Sequence, residues 1–118
     1  MAVTDTDEAD IIRLLGEDVL ATRGGRFADD IRAHAARIRE FHDDRALYFD
    51  MVVQDVQQDF HDLFIDTTWP TCPFHRRHPL WYHDGFWVCE QSGTRVAPLG
   101  GLAQVPKSGP LPPPANDR

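Results

Sequence analysis

The sequence has no long apolar run. Its best stretches, Met51-Val52-Val53 and Leu63-Phe64-Ile65, are far shorter than the roughly twenty apolar residues a helix needs to cross a bilayer. No membrane span is expected. The opening residues, Met1 to Asp10, are acidic, whereas a secretory leader starts on positive charge and continues into a hydrophobic stretch. The expected compartment is the cytoplasm. Cysteine is scarce too, with 2 in 118 residues. Cytosolic thiols stay reduced, so metal binding or plain burial is expected rather than a disulfide framework. No glycine-rich phosphate loop, Gly-x-Ser-x-Gly elbow or His-Glu-x-x-His pair occurs, which leaves the common nucleotide, serine-hydrolase and zinc-protease templates unmatched. Gly24-Gly25 alone makes no nucleotide site. No internal repeat is present.

Basic charge is in deficit. The net charge is −7, and it is uneven: residues 1–66 hold 16 acidic and 7 basic side chains, a net of −9, while residues 67–118 hold 3 and 5, a net of +2. Nucleic-acid binding draws on Lys and Arg to displace counterions from phosphate, so the acidic part disfavours it. An acidic surface suits solubility and a basic protein partner, and a simply solvated surface is the plainer reading. A chain of this length fits one compact domain. Its core gives modest stability, so a metal staple would help it.

What is present divides into helical, strand-like and loop-rich stretches. Residues 1–6 read as frayed. From Asp7, the positions Ile11, Ile12, Leu15 and Val19 recur at the spacing of one helix face, and Gly24-Gly25 follows as a C-terminal stop. Over 27–42, Phe27, Ile31, Ala35, Ile38 and Phe41 form a helical stripe, and a helix is favoured over a hairpin strand. Ala46 to Val53 is rich in β-branched and aromatic residues and reads as a strand, although Phe49, Val52, Val53 and Val56 also make a helical stripe. Such a strand needs a partner for its backbone, from 35–41 or from a second chain, so a dimer is possible. Asp55 then resembles an N-cap, with Gln58 in capping-box position. Val56, Phe60, Leu63 and Phe64 give the next helix its apolar face, to about Asp66 or Thr67. Of the 9 prolines, 6 fall in residues 98–118, which read as a disordered tail.

Chemistry concentrates between Trp69 and Gly93. Cys72 and His75 are separated by two residues, a spacing that lets both side chains converge on one ion. Leu80-Trp81-Tyr82 and Phe86-Trp87-Val88 flank a His83-Asp84-Gly85 turn, and such a hairpin carries Cys89 back toward Cys72. Two Cys and two His are a common tetrahedral zinc set. His78, in the same turn as His75, is the nearest fourth donor; His61, His83 and Asp84 are weaker ones. Arg76-Arg77 lies between the two histidines, where it could grip phosphate or carboxylate or simply be a solvated loop.

The stretch Cys72-Pro73-Phe74-His75 … Cys89-Glu90-Gln91-Ser92-Gly93 resembles a zinc ribbon, in which two Cys-x-x-Cys knuckles are linked by a β-hairpin. Ser92 departs from that pattern, because it stands where a ribbon places a ligand. The resemblance covers residues 69–97 and implies a structural zinc held by Cys72, His75, His78 and Cys89.

The reading is an α+β protein: two or three helices with a short strand element in residues 1–68, the zinc-ribbon-like hairpin in 69–97, and the tail in 98–118. The function expected is a non-enzymatic protein-interaction or adaptor module. Nucleic-acid binding through the ribbon is the alternative. A small zinc hydrolase, with an open metal position and Asp84 or Asp62 as base, has the least support.

Overall fold

A computed structural model describes residues 3–62, 69–74 and 78–105. Among them are three helices, α1 (Asp5–Arg23), α2 (Ala28–Arg39) and α3 (Arg45–Asp62), followed by strands β1 (Leu80–His83), β2 (Phe86–Cys89) and β3 (Arg95–Pro98). The strands form one antiparallel sheet in the order β1-β2-β3. The fold class is α+β, as expected. No helix among the described residues is long and apolar enough to cross a membrane.

Helix α1 starts earlier than the sequence suggests. The Thr4 hydroxyl accepts from Asp7 N–H while the Asp7 carboxylate accepts from Thr4 N–H, at 3.1 and 3.0 Å, and this capping box satisfies two donors that the helix leaves unpaired. The stripe Ile11, Leu15 and Val19 is buried. The helix stops at Gly24, whose φ of 84° is disfavoured for a side-chain-bearing residue. Helix α2 buries Ile31, Ala35 and Ile38; Phe41, past its end, is 73% exposed.

The expected strand at 46–53 is instead the first half of α3. Asp44, not Asp55, opens this helix: its carboxylate accepts from Ala46 N–H at 2.8 Å and its carbonyl from Tyr48 N–H at 2.9 Å. Tyr48, Phe49, Val52, Val53, Val56, Gln57 and Phe60 are all buried. Burial at spacings of three and four on a wide face outweighs the β preference of the individual residues. The unpaired strand that suggested a dimer therefore does not exist. The expected extension of the helix through Leu63, Phe64 and Asp66 lies outside the described residues.

The sheet packs on the helices through aromatic rings. Phe60 meets Trp69 at 4.6 Å between centroids, Trp69 meets Trp87 at 5.6 Å, and Trp87 meets Tyr82 at 5.9 Å. Two buried polar side chains pin the layers together. Asp18 on α1 accepts from Trp87 Nε1–H (2.7 Å), Gly100 N–H (2.7 Å) and Leu102 N–H (2.8 Å). Gln57 on α3 donates through Nε2 to the carbonyls of Trp69 (3.0 Å) and Leu80 (2.8 Å). Each pin satisfies groups that would otherwise be buried without partners. Leu99 and Leu102 are also buried, so packing continues beyond residue 98, where the tail was expected to begin. Residues 106–118 lie outside the described part.

Candidate metal centres

The β1–β2 hairpin is built by strand register. Leu80 pairs with Cys89, and Trp81 with Val88. Leu80 N–H donates to Pro70 O at 2.6 Å and Leu80 O accepts from Gln57. Both Leu80 backbone groups therefore point away from β2. Leu80 and Cys89 are a non-hydrogen-bonded pair, the kind whose side chains approach most closely.

Each cysteine is held by backbone hydrogen bonds. Thr71 bridges Pro79, and Cys72 N–H donates to His78 O at 3.0 Å, which brings Cys72 and His78 together. Gly93 N–H donates to Cys89 O at 2.7 Å and Cys89 N–H to Thr94 O at 2.8 Å, which closes the turn after β2. Gly93, at φ 74°, supplies a backbone conformation that L side chains rarely adopt. Because β1 begins where β2 ends, the two cysteines share one end of the sheet. Both cysteines are buried, at 1% exposure.

His78 is exposed, and His75, Arg76 and Arg77 lie outside the described residues. Ser92 is engaged within its own turn: its hydroxyl donates to Thr94 Oγ1 at 2.9 Å and accepts from Thr94 N–H at 3.3 Å. His83 and Asp84 sit at the hairpin tip, at the opposite end of the sheet, where Asp84 (φ 51°) and Gly85 (φ 88°) form the turn. Trp81, whose indole N–H donates to Glu90 at 2.8 Å, is 43% exposed, while Trp87 is fully buried. Trp87 is therefore core, and Trp81 and Phe74 are the ring systems this module presents to solvent.

Among the described residues, one set of three ligand atoms lies within 4.8 Å of one another: Asp30, His34 and Asp59. Cys72, His78 and Cys89 do not make such a set. Asp30 and His34 stand one turn apart on α2, and Asp59 comes from α3. His34 Nε2 is 2.6 Å from Asp59 Oδ2 and 3.7 Å from Asp30 Oδ2. Its Nδ1 faces the Arg37 guanidinium and lies 3.7 Å from Asp55 Oδ2. A guanidinium only donates, so Nδ1 accepts and Nε2–H donates to Asp59. The Asp30 carboxyl is raised above its ordinary value, first by burial and then by the Asp59 carboxylate, with His34 and Arg37 opposing.

Sequence reasoning missed this cluster. Its signal was the paired i,i+4 spacing, Asp30/His34 on one helix and Asp55/Asp59 on the next.

A third feature is an open groove of about 670 Å³ between α3 and the hairpin, with Asp50, Tyr82 and His83 on its walls. Burial raises the Asp50 carboxyl, with the neighbouring His83 opposing, and pushes Tyr82 up to about 12.

Comparison with family models, with curated proteins and with solved structures finds no match to this chain.

Proposed function

We propose that this chain is a small cytoplasmic protein-interaction module whose ribbon is held by a structural zinc, with Cys72, Cys89, His75 and His78 as its ligands. The observation that carries this reading is the placement of two buried cysteines, each held by backbone hydrogen bonds, at the same end of one sheet. Thiolate and imidazole donors suit zinc, and a closed four-ligand set supplies cross-linking rather than reactivity. The described donors fit half of that set, the two thiols. The imidazoles would come from His75 and His78, with His78 moving inward from its exposed position.

A metal clamp is useful here because the sheet is small. Strands of four residues bury little, and short ribbons are marginal alone. With the ribbon fixed on the helices, Trp81 and Phe74 stay at the surface, and exposed aromatics are enriched at protein interfaces. The reading is non-enzymatic because a closed four-ligand zinc keeps no open position for water or substrate.

The test is the metal content of the purified chain by elemental mass spectrometry, beside Cys72→Ser and Cys89→Ser. The expected result is one zinc per chain, lost in both variants together with thermal stability. Wild-type protein without zinc overturns the reading.

A further inference from the structure

We propose that Asp30, His34 and Asp59 form a second metal site, separate from the ribbon, for a divalent first-row transition ion. Three carboxylates, Asp30, Asp55 and Asp59, surround one imidazole, and Arg37 is the cation that faces them. With His34 neutral, the cluster carries a formal charge of −2, which a divalent ion balances.

Geometry favours a ligand role for His34 over a plain ion pair. Asp30 and His34 have the i,i+4 spacing by which two helical side chains reach one ion, and Asp59 closes the set from a second helix. The imidazole is mostly buried, with 13% of its side chain exposed, while the Asp30 and Asp59 side chains are 43% and 34% exposed. An ion there is held by protein on one side and open to water on the other. The far side of the ring is also prepared. When Nε2 gives its lone pair to a metal, the proton moves to Nδ1 and needs an acceptor. Asp55 lies 3.7 Å from that nitrogen. A carboxylate behind a ligating histidine fixes its tautomer and raises its basicity. Arg37, which donates to Nδ1 in this structure, is also 3.3 Å from Asp55 and keeps that partner when it yields the nitrogen.

The donor set defines the ion class. Mg²⁺ and Ca²⁺ prefer all-oxygen shells, whereas one imidazole with two carboxylates suits the Mn²⁺, Fe²⁺ and Zn²⁺ range. Mn²⁺ is the useful probe, because it does not compete well for the soft thiolates of the ribbon. The site can therefore succeed or fail independently of the ribbon zinc.

The experiment is calorimetric titration of the full chain with Mn²⁺, together with NMR of the histidine rings. Expected are one Mn²⁺ per chain, paramagnetic broadening centred on His34, and at least ten-fold weaker binding in His34→Gln and in Asp59→Asn. Asp55→Asn, which touches only the far side of the ring, is expected to weaken binding by about 10- to 100-fold. Adding Zn²⁺ to chain whose ribbon is already filled should move the His34 proton from Nε2 to Nδ1. The proposal is overturned if Mn²⁺ does not bind, if broadening centres elsewhere, or if folded His34→Gln binds as tightly as wild type.

Discussion

The Trp87 indole donates to the Asp18 carboxylate at 2.7 Å in the protein interior, joining the middle strand of the sheet to the first helix. Two backbone N–H groups, of Gly100 and Leu102, converge on the same carboxylate. An aspartate can serve all three donors because its oxygens only accept. Burial nevertheless pushes its pKa up, against the pull of these hydrogen bonds.

Asp18→Ala strands two buried donors and one part-buried donor and is expected to destabilise the fold by about 3 kcal/mol, since each unsatisfied buried group costs about 1–3 kcal/mol. Asp18→Asn presents an amide N–H₂ to one of those donors and should cost less than the alanine change. Trp87→Ala should be about as damaging as Asp18→Ala, because it removes a fully buried ring, typically about 3–5 kcal/mol. Urea unfolding of the variants measures all three.

Gln57 makes a similar pin from α3. Gln57→Leu leaves the carbonyls of Trp69 and Leu80 without that donor, and a loss of about 1–3 kcal/mol is expected. Amide exchange should report it first in β1 and β2, where the sheet loses its anchor to the helix. Uniform loosening across all the helices would point to a different role for Gln57.

Much of this architecture was legible in the sequence. The stripe Ile31, Ala35 and Ile38 gave the second helix, Gly24 marked the end of the first, and the Asp84-Gly85 turn between aromatic runs gave the hairpin. The failure at 46–53 has a physical cause. Tyr48, Phe49, Val52 and Val53 favour strands locally, and their burial in a helix packed against α1, α2 and β1 outweighs that preference. The Asp18 and Gln57 pins were not legible, because each partner lies in a distant segment and a lone polar residue in a helix gives no sign of burial. For the same reason the pairing of His34 with Asp59 could not be read, although the spacing within each helix could.

Glycine at position 100 is constrained more than at position 93. Both have positive φ, 90° and 74°, but a Cβ at Gly100 would lie 2.7 Å from Leu14 Cδ2, whereas one at Gly93 meets nothing within 4 Å. Gly93→Ala should cost about 1 kcal/mol from the backbone alone. Gly100→Ala should cost more, because Leu14 must also move. Thermal denaturation of the pair checks the order.

The groove carboxylate Asp50 gives a pH prediction with a definite sign. Burial raises its folded-state pKa above the ordinary 3.8, so the folded chain holds this proton more tightly than the unfolded chain does. Its contribution is fully present below 3.8 and is lost as pH rises through the folded value. Asp50→Asn stays neutral throughout. Its stability relative to wild type should therefore increase as pH climbs from 3.8 toward neutrality, measured by urea midpoints at each pH. A constant difference would show that Asp50 is not desolvated in solution.

The proposed ribbon zinc is tested most directly by elemental analysis of untagged wild-type chain, with Cys72→Ser, Cys89→Ser, His75→Ala, His78→Ala and Trp81→Ala alongside. Expected is one zinc per chain in wild type and in Trp81→Ala, whose ring is half exposed, and loss of zinc with lowered melting temperature in the other four. Carefully prepared wild-type chain without zinc, or cysteine variants that keep it after His34→Gln has emptied the second site, would contradict the ribbon reading.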